Sequence, residues 1–551
     1  MPVIRINPVT AADNFYALGE QSPSTMAFLQ NLVPAPDSAQ QWIPRPAATV
    51  LAGSQGTLPG GFTFGVVSCM KVIGDRVYGM CASDRAAGQD EPFCYDILGG
   101  AFVTITGITA SNTPSSPPSS GAWTPPHMDL VGTRIIIAHT GYSGSGSNFF
   151  GSINIANPSA LTYASSNTAT NALPVVPSWV VQFNQRAWFF CNIPNGQPAL
   201  LASNTLDALT RTNGSYTLTL NDNVPLLCGG VYTVTASQFG GQTSALFVFK
   251  QGASQIYQVK GDFVPTPVGT FPTFEDITMN LLPVATGTFA ANTVTSTPLG
   301  LTFVAPDGVR MVNFDGQVTE PLGSNGQGKV FPFMATLEPT RMVSACNGSV
   351  LRISSNDASV QNSPRQEWVY DLPRRLWHGP HTFPISLVAQ HGAEAVIAPV
   401  GITGLWQQSM SPTSSSTYME NGATYMCVYQ TAFFPDRVEI NQLSTVKAVY
   451  YRAFGSETSD ISIAAIDARN NIIDFASVQS SGMSTLWDQF AWGAAVWLGA
   501  ASPLSAEEIP WNYPLVFDRM AIQISVTAAA GLKFGHVSLI VEELGYTVQK
   551  V

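Results

Sequence analysis

The stretch from Gly230 to Gly261, GVYTVTASQFGGQTSALFVFKQGASQIYQVKG, constrains the fold more than any other part of the chain. It holds three hydrophobic runs, VYTVTAS, ALFVFK and QIYQV, separated by the pair Gly240-Gly241 and by the turn QGAS. β-Branched and aromatic side chains suit a pleated strand, whereas glycine and small polar residues relieve the backbone where it reverses. No run between the breaks is long enough for a helix, so the stretch predicts one blade-like unit of three short strands. Tyr232, Phe247, Phe249 and Tyr257 alternate as core-facing residues of such a unit should.

Between Val66 and Gln408 a similar phrase keeps returning: a turn with Gly, Asn or Asp, a hydrophobic strand, a gap, and a second strand. It occurs at DRVYGMCAS with FCYDI and AFVTITGI, at TRIIIAHTGY with GSINIA, and at QRAWFFCNI with PALLAS. It returns at GLTFVAPDGVRMVNFDGQV, at SVLRISSN with QEWVYDLPRRLWHGP, and at AEAVIAPVGITGLWQQ. The phrases start roughly 45 to 70 residues apart, the period of propeller blades with long loops. The expectation is an all-β chain with a propeller-like domain of roughly six to eight blades over residues 61–410. One hairpin is explicit: a strand through Thr302 to Ala305, a tight turn at Pro306-Asp307-Gly308, and a strand from Val309 to Phe314.

The flanks differ. Residues 1–60 carry four prolines between Pro34 and Pro46, which forbid a sustained helix and suggest an extended N-terminal arm along a surface or a neighbour. A loop packed on its own domain is the alternative. SNTPSSPPSSGAWTPPH (111–127) reads as an exposed Pro/Ser-rich insertion, and SMSPTSSSTYMENGAT (409–424) as a linker. Residues 425–551 then alternate strands in a different style, joined by turn pairs such as Asn470-Asn471, and predict a C-terminal antiparallel β-sandwich of roughly eight short strands.

Aromatic residues in loops, linkers and edges are the candidate partner contacts: Trp42, Trp123, Tyr142, Phe149, Phe150, Trp377, Trp492, Trp497 and Trp511. Tyr142, Phe149 and Phe150 belong to the Gly/Ser loop GYSGSGSNFFGS (141–152), where the competing reading is that the rings tuck onto their own blade. The segment WDQFAWGAAVWLG (487–499) is either a strand edge or a partner-facing patch.

Charge narrows the function classes. Of the 551 residues only 11% are charged, against roughly a quarter in a typical soluble protein, and the net charge is −11. Nucleic-acid grip depends on clustered Lys and Arg that displace counterions, so DNA near this chain is expected to slide past it. A long chain with so little surface charge suits a permanent assembly. The seven cysteines, at 69, 81, 94, 191, 228, 346 and 427, show no metal-finger spacing and read as reduced, mostly buried thiols. MPVIRINPVTAADNF lacks a basic start followed by an apolar run, and no apolar stretch reaches spanning length without interruption, so a chain made in the cytoplasm without a membrane segment is expected.

Motifs that carry chemistry are missing or fail. GSNGQGKV (323–330) approaches a phosphate loop, but Val330 stands where the metal-binding hydroxyl belongs and VFPF cannot start a helix. His378 and His381 in LWHGPH straddle a Gly-Pro pair without a carboxylate in view, which favours a loop role over metal binding. Asp75, Asp262, Glu275, Asp276, Asp307 and Asp315 could supply glycosidase carboxylates at one end of a propeller, yet acidic residues are ordinary turn formers. The sequons at Asn213 and Asn347 have no bearing on a chain without a secretory signal. The expectation is therefore no enzyme, no cofactor and no metal.

Several phrases carry a family resemblance. ALFVFKQGASQIYQVKG, the later hairpin GLTFVAPDGVRMV and the strand QEWVYDLPRRLWHGP, with Tyr370, Asp371 and Trp377, resemble in order the tail hub, or packaged-DNA stabilisation protein, of P22-like short-tailed phages. NFYALGEQSPSTMAFLQNLVPAP with WIPRPA is similar to that family's introductory arm. AFFPDRVEINQLSTV, SDISIAAIDARNNI and FDRMAIQISVTAAAGLKFGHVSLIVEELG are similar to its closing sandwich. The resemblance covers nearly the whole chain; the Pro/Ser insertion 111–127 and the Trp-rich segment 487–511 depart from it. It implies a tail nozzle built as a homo-hexameric ring below the portal and the adaptor, or head-completion, ring. Such a ring closes the DNA exit with a needle, fibre or tailspike protein, retains packaged DNA, and conducts double-stranded DNA at ejection. That places the chain in the virion tail, assembled in the host cytoplasm. The alternative left open by the residues is a propeller that binds or cleaves a surface glycan.

Overall fold

The computed structural model describes residues 3–6, 26–35, 42–116, 124–166, 172–211, 217–220, 222–235, 242–262, 277–284, 286–323, 341–355, 366–409, 418–431, 442–454, 459–467, 471–480, 507–508, 515–517, 520–528 and 532–546. Over these residues the chain is all-β, with two short 3-10 turns and no helix long and apolar enough to cross a membrane.

Seven small antiparallel meanders follow one another and form a ring. Blade one is Val67–Ile73, Arg76–Ala82, Asp90–Asp96 and Ala101–Phe102. Blade two is His127–Val131, Arg134–Ala138, Phe150–Asn154 and Leu161–Ser166, with Ile105–Thr106 added in parallel. Blade three is Trp179–Phe183, Arg186–Cys191, Ala199–Ala202 and Thr217–Thr219. Blade four is Leu226–Thr235, Gln242–Lys250, Ile256–Lys260 and Thr278–Leu281, the three expected strands plus one. The fifth sheet has only three strands, Thr295–Thr297, Gly300–Ala305 and Gly308–Val312. Blade six is Met342–Cys346, Val350–Ser355, Gln366–Asp371 and Leu376–His381. Blade seven is Ile385–His391, Glu394–Pro399 and Trp406–Ser409, completed by the N-terminal Thr49–Val50 through Trp406 opposite Val50. The first strand of each blade packs beside that of the next, and Ile385–His391 closes the ring against Val67–Ile73.

This arrangement explains why the strands read as unbroken apolar runs. The second strand of a blade is covered on both faces by the neighbouring blades, so side chains on both of its faces are buried, whereas outer strands such as Leu161–Ser166 alternate with exposed positions. In Arg134–Ala138 the residues Ile135, Ile136 and Ile137 are all fully buried. Ile136 and Ala138 join the core shared with Phe189 of blade three, whereas Ile135 and Ile137 join the core shared with Met80 of blade one. Turn chemistry follows the same economy: Asn184 and Gln185, with φ of 50° and 60°, make the two-residue reversal between Phe183 and Arg186.

The described residues of the N-terminal stretch pair with the chain's own sheets. Met26–Gln30 inserts between Leu376–His381 of blade six and Met426–Thr431, so that Leu29 lies opposite Gly379 on one side and Tyr429 on the other. Blade six thereby continues into a nine-stranded sheet through Met520–Thr527, Ser459–Asp467 and Ile472–Ser480. The second sheet combines Val3–Ile6, Leu32–Pro34 and Trp42–Pro44 with Gln442–Phe454, Glu507–Glu508, Leu515–Phe517 and Lys533–Tyr546. The prolines exclude a helix, as expected, but they tolerate short strands, and these are used. The Pro/Ser insertion is also pinned where it is described: Asp90, Ser115 and Ser116 N–H groups donate to the carbonyls of Pro114, Gly141 and Gly88 at 3.0, 3.0 and 2.8 Å, and Thr113 is buried.

One apolar core runs across the boundary, joining Leu351, Trp368 and Trp377 of blade six to Leu29, Tyr429, Ile463, Ile522 and Phe534 of the sandwich. Leu29→Ala is expected to cost about 2–5 kcal/mol in denaturant unfolding, because the cavity opens in a core that both sheets share. Propeller and sandwich signals should shift together; separate transitions would contradict a shared core.

Candidate functional site

The first strands of blades one, two, three, six and seven, with the turn before the fifth sheet, line an axial cavity of about 300 Å³. Its wall is built from residues 69–72, 126–128, Trp179, the turn before the fifth sheet at Ala291, Asn292 and Val294, then Val343 and Ser344, and residues 387–390. Strand pairing leaves each inner strand one open edge, so side chains at these positions join one blade to the next.

Every junction of the ring carries such a bond. Lys71 of blade one forms an ion pair with Asp129 of blade two. The Gln182 N–H of blade three donates to Asp129 Oδ2 at 2.6 Å, and His127 Nδ1 meets the Val180 carbonyl at 2.7 Å. The Trp179 indole N–H donates to the Gly229 carbonyl at 3.0 Å, and the Tyr232 hydroxyl to that of Pro298 at 3.1 Å. Thr295 Oγ1 donates to the Ser344 carbonyl at 3.2 Å, and Asn347 Nδ2 to that of Ala393 at 3.3 Å. His391 Nε2 and Asp75 Oδ1, 3.2 Å apart, close blade seven onto blade one.

The electrostatics of the axis is self-contained. His127 stacks on Trp179 with ring centres 3.8 Å apart and planes 17° off parallel. Burial pushes its pKa down to about 4, against the opposing pull of Asp129, so the ring is neutral at pH 7 and its Nδ1–H is the donor to Val180. Burial acts to raise the Asp129 pKa, but Lys71 and His127, with the Gln182 N–H, outweigh it and hold the carboxyl below its usual range. Its other oxygen also accepts the Leu130 N–H at 2.8 Å. A glycosidase needs two carboxyl groups roughly 5–9.5 Å apart across the scissile bond. The cavity wall includes no carboxylate among the described residues, and Asp129, next to the wall residue Met128, is engaged on both oxygens.

A second polar cluster locks the propeller to the sandwich. The fully buried Arg45 forms a bidentate pair with Glu420 at 2.5 and 2.8 Å, bonds Asn31 Oδ1 through Nε at 3.0 Å, and lies over the Tyr425 ring. Burial opposes its charge, yet Glu420 outweighs burial and drives the guanidinium pKa up. Glu420 sits on the small hairpin Met419–Glu420 with Ala423–Thr424, the described end of the expected linker, and accepts the Ala48 N–H at 2.9 Å. Asn31, in the left-handed region at φ 56°, donates Nδ2 to Thr382 Oγ1 at 2.9 Å and to the Met426 carbonyl at 2.7 Å. Nearby, Arg352 pairs with Glu367 at 2.5 Å and bonds Gln408 Oε1 at 2.6 Å, and Gln408 donates to the Pro46 carbonyl at 2.9 Å.

His378 and His381 belong to this buried cluster and not to a loop, because Gly379 and Pro380 lie inside the strand Leu376–His381. Their Nδ1 and Nε2 atoms are 3.2 Å apart, and Glu367 lies opposite His381 across the strand pair. Burial, reinforced by Arg374 and Arg352, pushes His378 down to about 3, and burial with His378 and Arg45 pushes His381 well below the usual value.

The aromatic candidates are used internally. Trp42 is buried edge-on to His378, and Trp377 is buried against Tyr370 with its indole N–H on the Leu322 carbonyl at 3.0 Å. Tyr142 is buried and its hydroxyl meets that of Tyr163 at 2.7 Å; Phe150 is buried against Phe189, and half-buried Phe149 packs on the same core. Neighbouring blades need filler for the space between them, which takes these rings away from partners. Trp123, Trp492, Trp497 and Trp511 lie outside the described residues, as do Asn213, Glu275, Asp276 and most of the GSNGQGKV stretch. Of the acidic candidates, Asp75 pairs with His391, Asp262 with Arg186 and Asp307 with Arg310, while the Asp315 N–H donates to Asn313 in a turn. Among the described residues no three His, Cys, Asp or Glu side chains gather as metal ligands would, and all seven cysteines are free thiols, six of them buried.

Glu420→Ala should destabilise the chain by about 3–5 kcal/mol in denaturant unfolding, because it strands the buried Arg45 charge. Acid should act in the same direction. His127, His378 and His381 have folded pKa values below the unfolded value near 6.5, so the unfolded chain binds more protons below that pH. Stability is then full above about pH 6.5 and falls as pH drops toward 4 and 3. Denaturant midpoints at pH 7.5 and 5 check this, and equal midpoints would contradict it.

No family model and no curated protein matches this chain. Solved structures similar to it include BamB from Moraxella catarrhalis, at 8% identity and a TM-score of 0.35, covering 70% of this chain and 95% of that one. An arabinoxylan arabinofuranohydrolase of glycoside hydrolase family 43 from Bacillus subtilis follows at 10% identity and a TM-score of 0.19, covering 86% and 78%. A β-fructofuranosidase from Schwanniomyces occidentalis has 8% identity and a TM-score of 0.26, covering 90% and 98%. Overlaps this loose carry no argument about function, which has to come from the chain's own residues.

Proposed function

We propose that this chain is a non-catalytic structural subunit of a short phage tail, a nozzle or hub that assembles as a homo-hexameric ring below the portal and adaptor. In this role it closes the DNA exit with a needle, fibre or tailspike partner, retains the packaged DNA, and conducts it at ejection. The observation that carries the non-catalytic part is the state of the axis. The cavity wall holds no Asp or Glu among the described residues, and Asp129, which follows the wall residue Met128 in the chain, is tied on both oxygens to Lys71 and two backbone N–H groups. A side chain bonded in this way holds blades together.

The tail assignment itself is supported by the sequence resemblance and by two physical features that suit it. A propeller and a sandwich sharing one core form a rigid body able to bear load across the join. A net charge of −11 suits a conduit that must release its polyanionic cargo. Native mass spectrometry of the purified chain, with electron microscopy of particles with and without it, tests the proposal. A sixfold ring on the tail and DNA-leaking heads in its absence are expected. A monomer absent from particles that binds or cleaves a surface glycan would overturn the tail reading, and stable DNA-filled heads without the chain would overturn the retention role.

A further inference from the structure

We propose that the axial cavity is a binding site for a small, uncharged, hydroxyl-rich molecule, the class to which a single sugar residue belongs. Four hydrogen-bonding groups on its wall hold capacity that the chain leaves unused. The Lys71 ammonium has three donors and directs one of them to Asp129. His127 donates through Nδ1 to Val180, which leaves Nε2 as an acceptor. Gln390 spends its amide nitrogen on the carbonyls of Gly392 and Glu394, the latter at 2.8 Å, which leaves Oε1 as an acceptor. The half-buried Asn292 amide makes no side-chain hydrogen bond among the described residues.

The charge balance selects the ligand class. Lys71 and Asp129 cancel, and His127 is neutral at pH 7. An anion would face the lone pairs of His127 and Gln390, and a cation would face Lys71. Either would give up hydration without a compensating partner. A neutral molecule that donates and accepts at several points satisfies all four groups, while Val72, Val294 and Leu387 offer apolar wall to its C–H faces. A cavity of about 300 Å³ with few convergent polar groups is the usual form of a small-molecule site. The inference goes beyond the tail role and does not depend on it. It involves binding alone, because Asp129 is engaged.

Saturation-transfer NMR on the intact chain with glucose, galactose and N-acetylglucosamine reads the site directly. At least one should bind. Asn292→Ala should weaken it by about tenfold, the loss of one well-placed hydrogen bond, and Ala389→Phe, which fills the cavity, should abolish it. Circular dichroism and melting of both variants should match the parent chain, and Asn292→Ala serves if the larger residue does not fold. Three results would overturn the proposal: no binding by any of the sugars, binding unchanged in Asn292→Ala, or glucuronate or glucosamine binding more tightly than glucose.

Discussion

The structure depends on one strand with two neighbours. Met26–Gln30 pairs with the outer strand of blade six and with Met426–Thr431, and without it the propeller edge and the sandwich sheet would each expose unpaired backbone. The same N-terminal segment goes on to supply Arg45 to the buried lock and Thr49–Val50 to the last blade. Residues far apart in sequence are thereby made to close the ring and to join it to the sandwich at once. A ring closed by both ends of its own chain cannot open one blade without breaking pairing at the other end.

The burial pattern follows from the same constraint. Stacked blades bury both faces of their central strands, such as Arg186–Cys191 and Gly300–Ala305, so polar groups there call for partners within the ring. Lys71 with Asp129, His127 with Val180, Trp179 with Gly229 and His391 with Asp75 are the outcome. They join one blade to the next, the His391–Asp75 pair at the exposed end of the ring, and they fix the order of the blades, because each bond needs a particular neighbour. Lys71 serves a blade junction, and Arg45 and Arg352 serve the buried cluster between propeller and sandwich.

Beside the axis Asp129 holds a blade junction, while Asn292, His127 and Gln390 carry the unused hydrogen-bonding capacity on which the proposed binding rests. Scaffold and binding site are not exclusive in a propeller, since the inner strands that carry the junctions also form the cavity wall.

The sequence by itself determined the all-β class, the blade-like phrase at Gly230 to Gly261, the hairpin at Pro306-Asp307, and a sandwich following the repeats, because strand propensity and turn chemistry are local. It did not reveal that Trp42, Tyr142, Phe150 and Trp377 are core, since an aromatic beside glycine or proline looks the same whether a neighbouring blade covers it or not. Nor could it show that the proline-rich start is woven into both domains, or that His378 and His381 lie in a strand beside Glu367. The sites were less legible still. Lys71 and Asp129 stand 58 positions apart, and Arg45 and Glu420 stand 375 apart, without a motif around either pair. Only ring closure and the pairing of distant strands bring them within bonding distance, and that closure is a property of the tertiary structure.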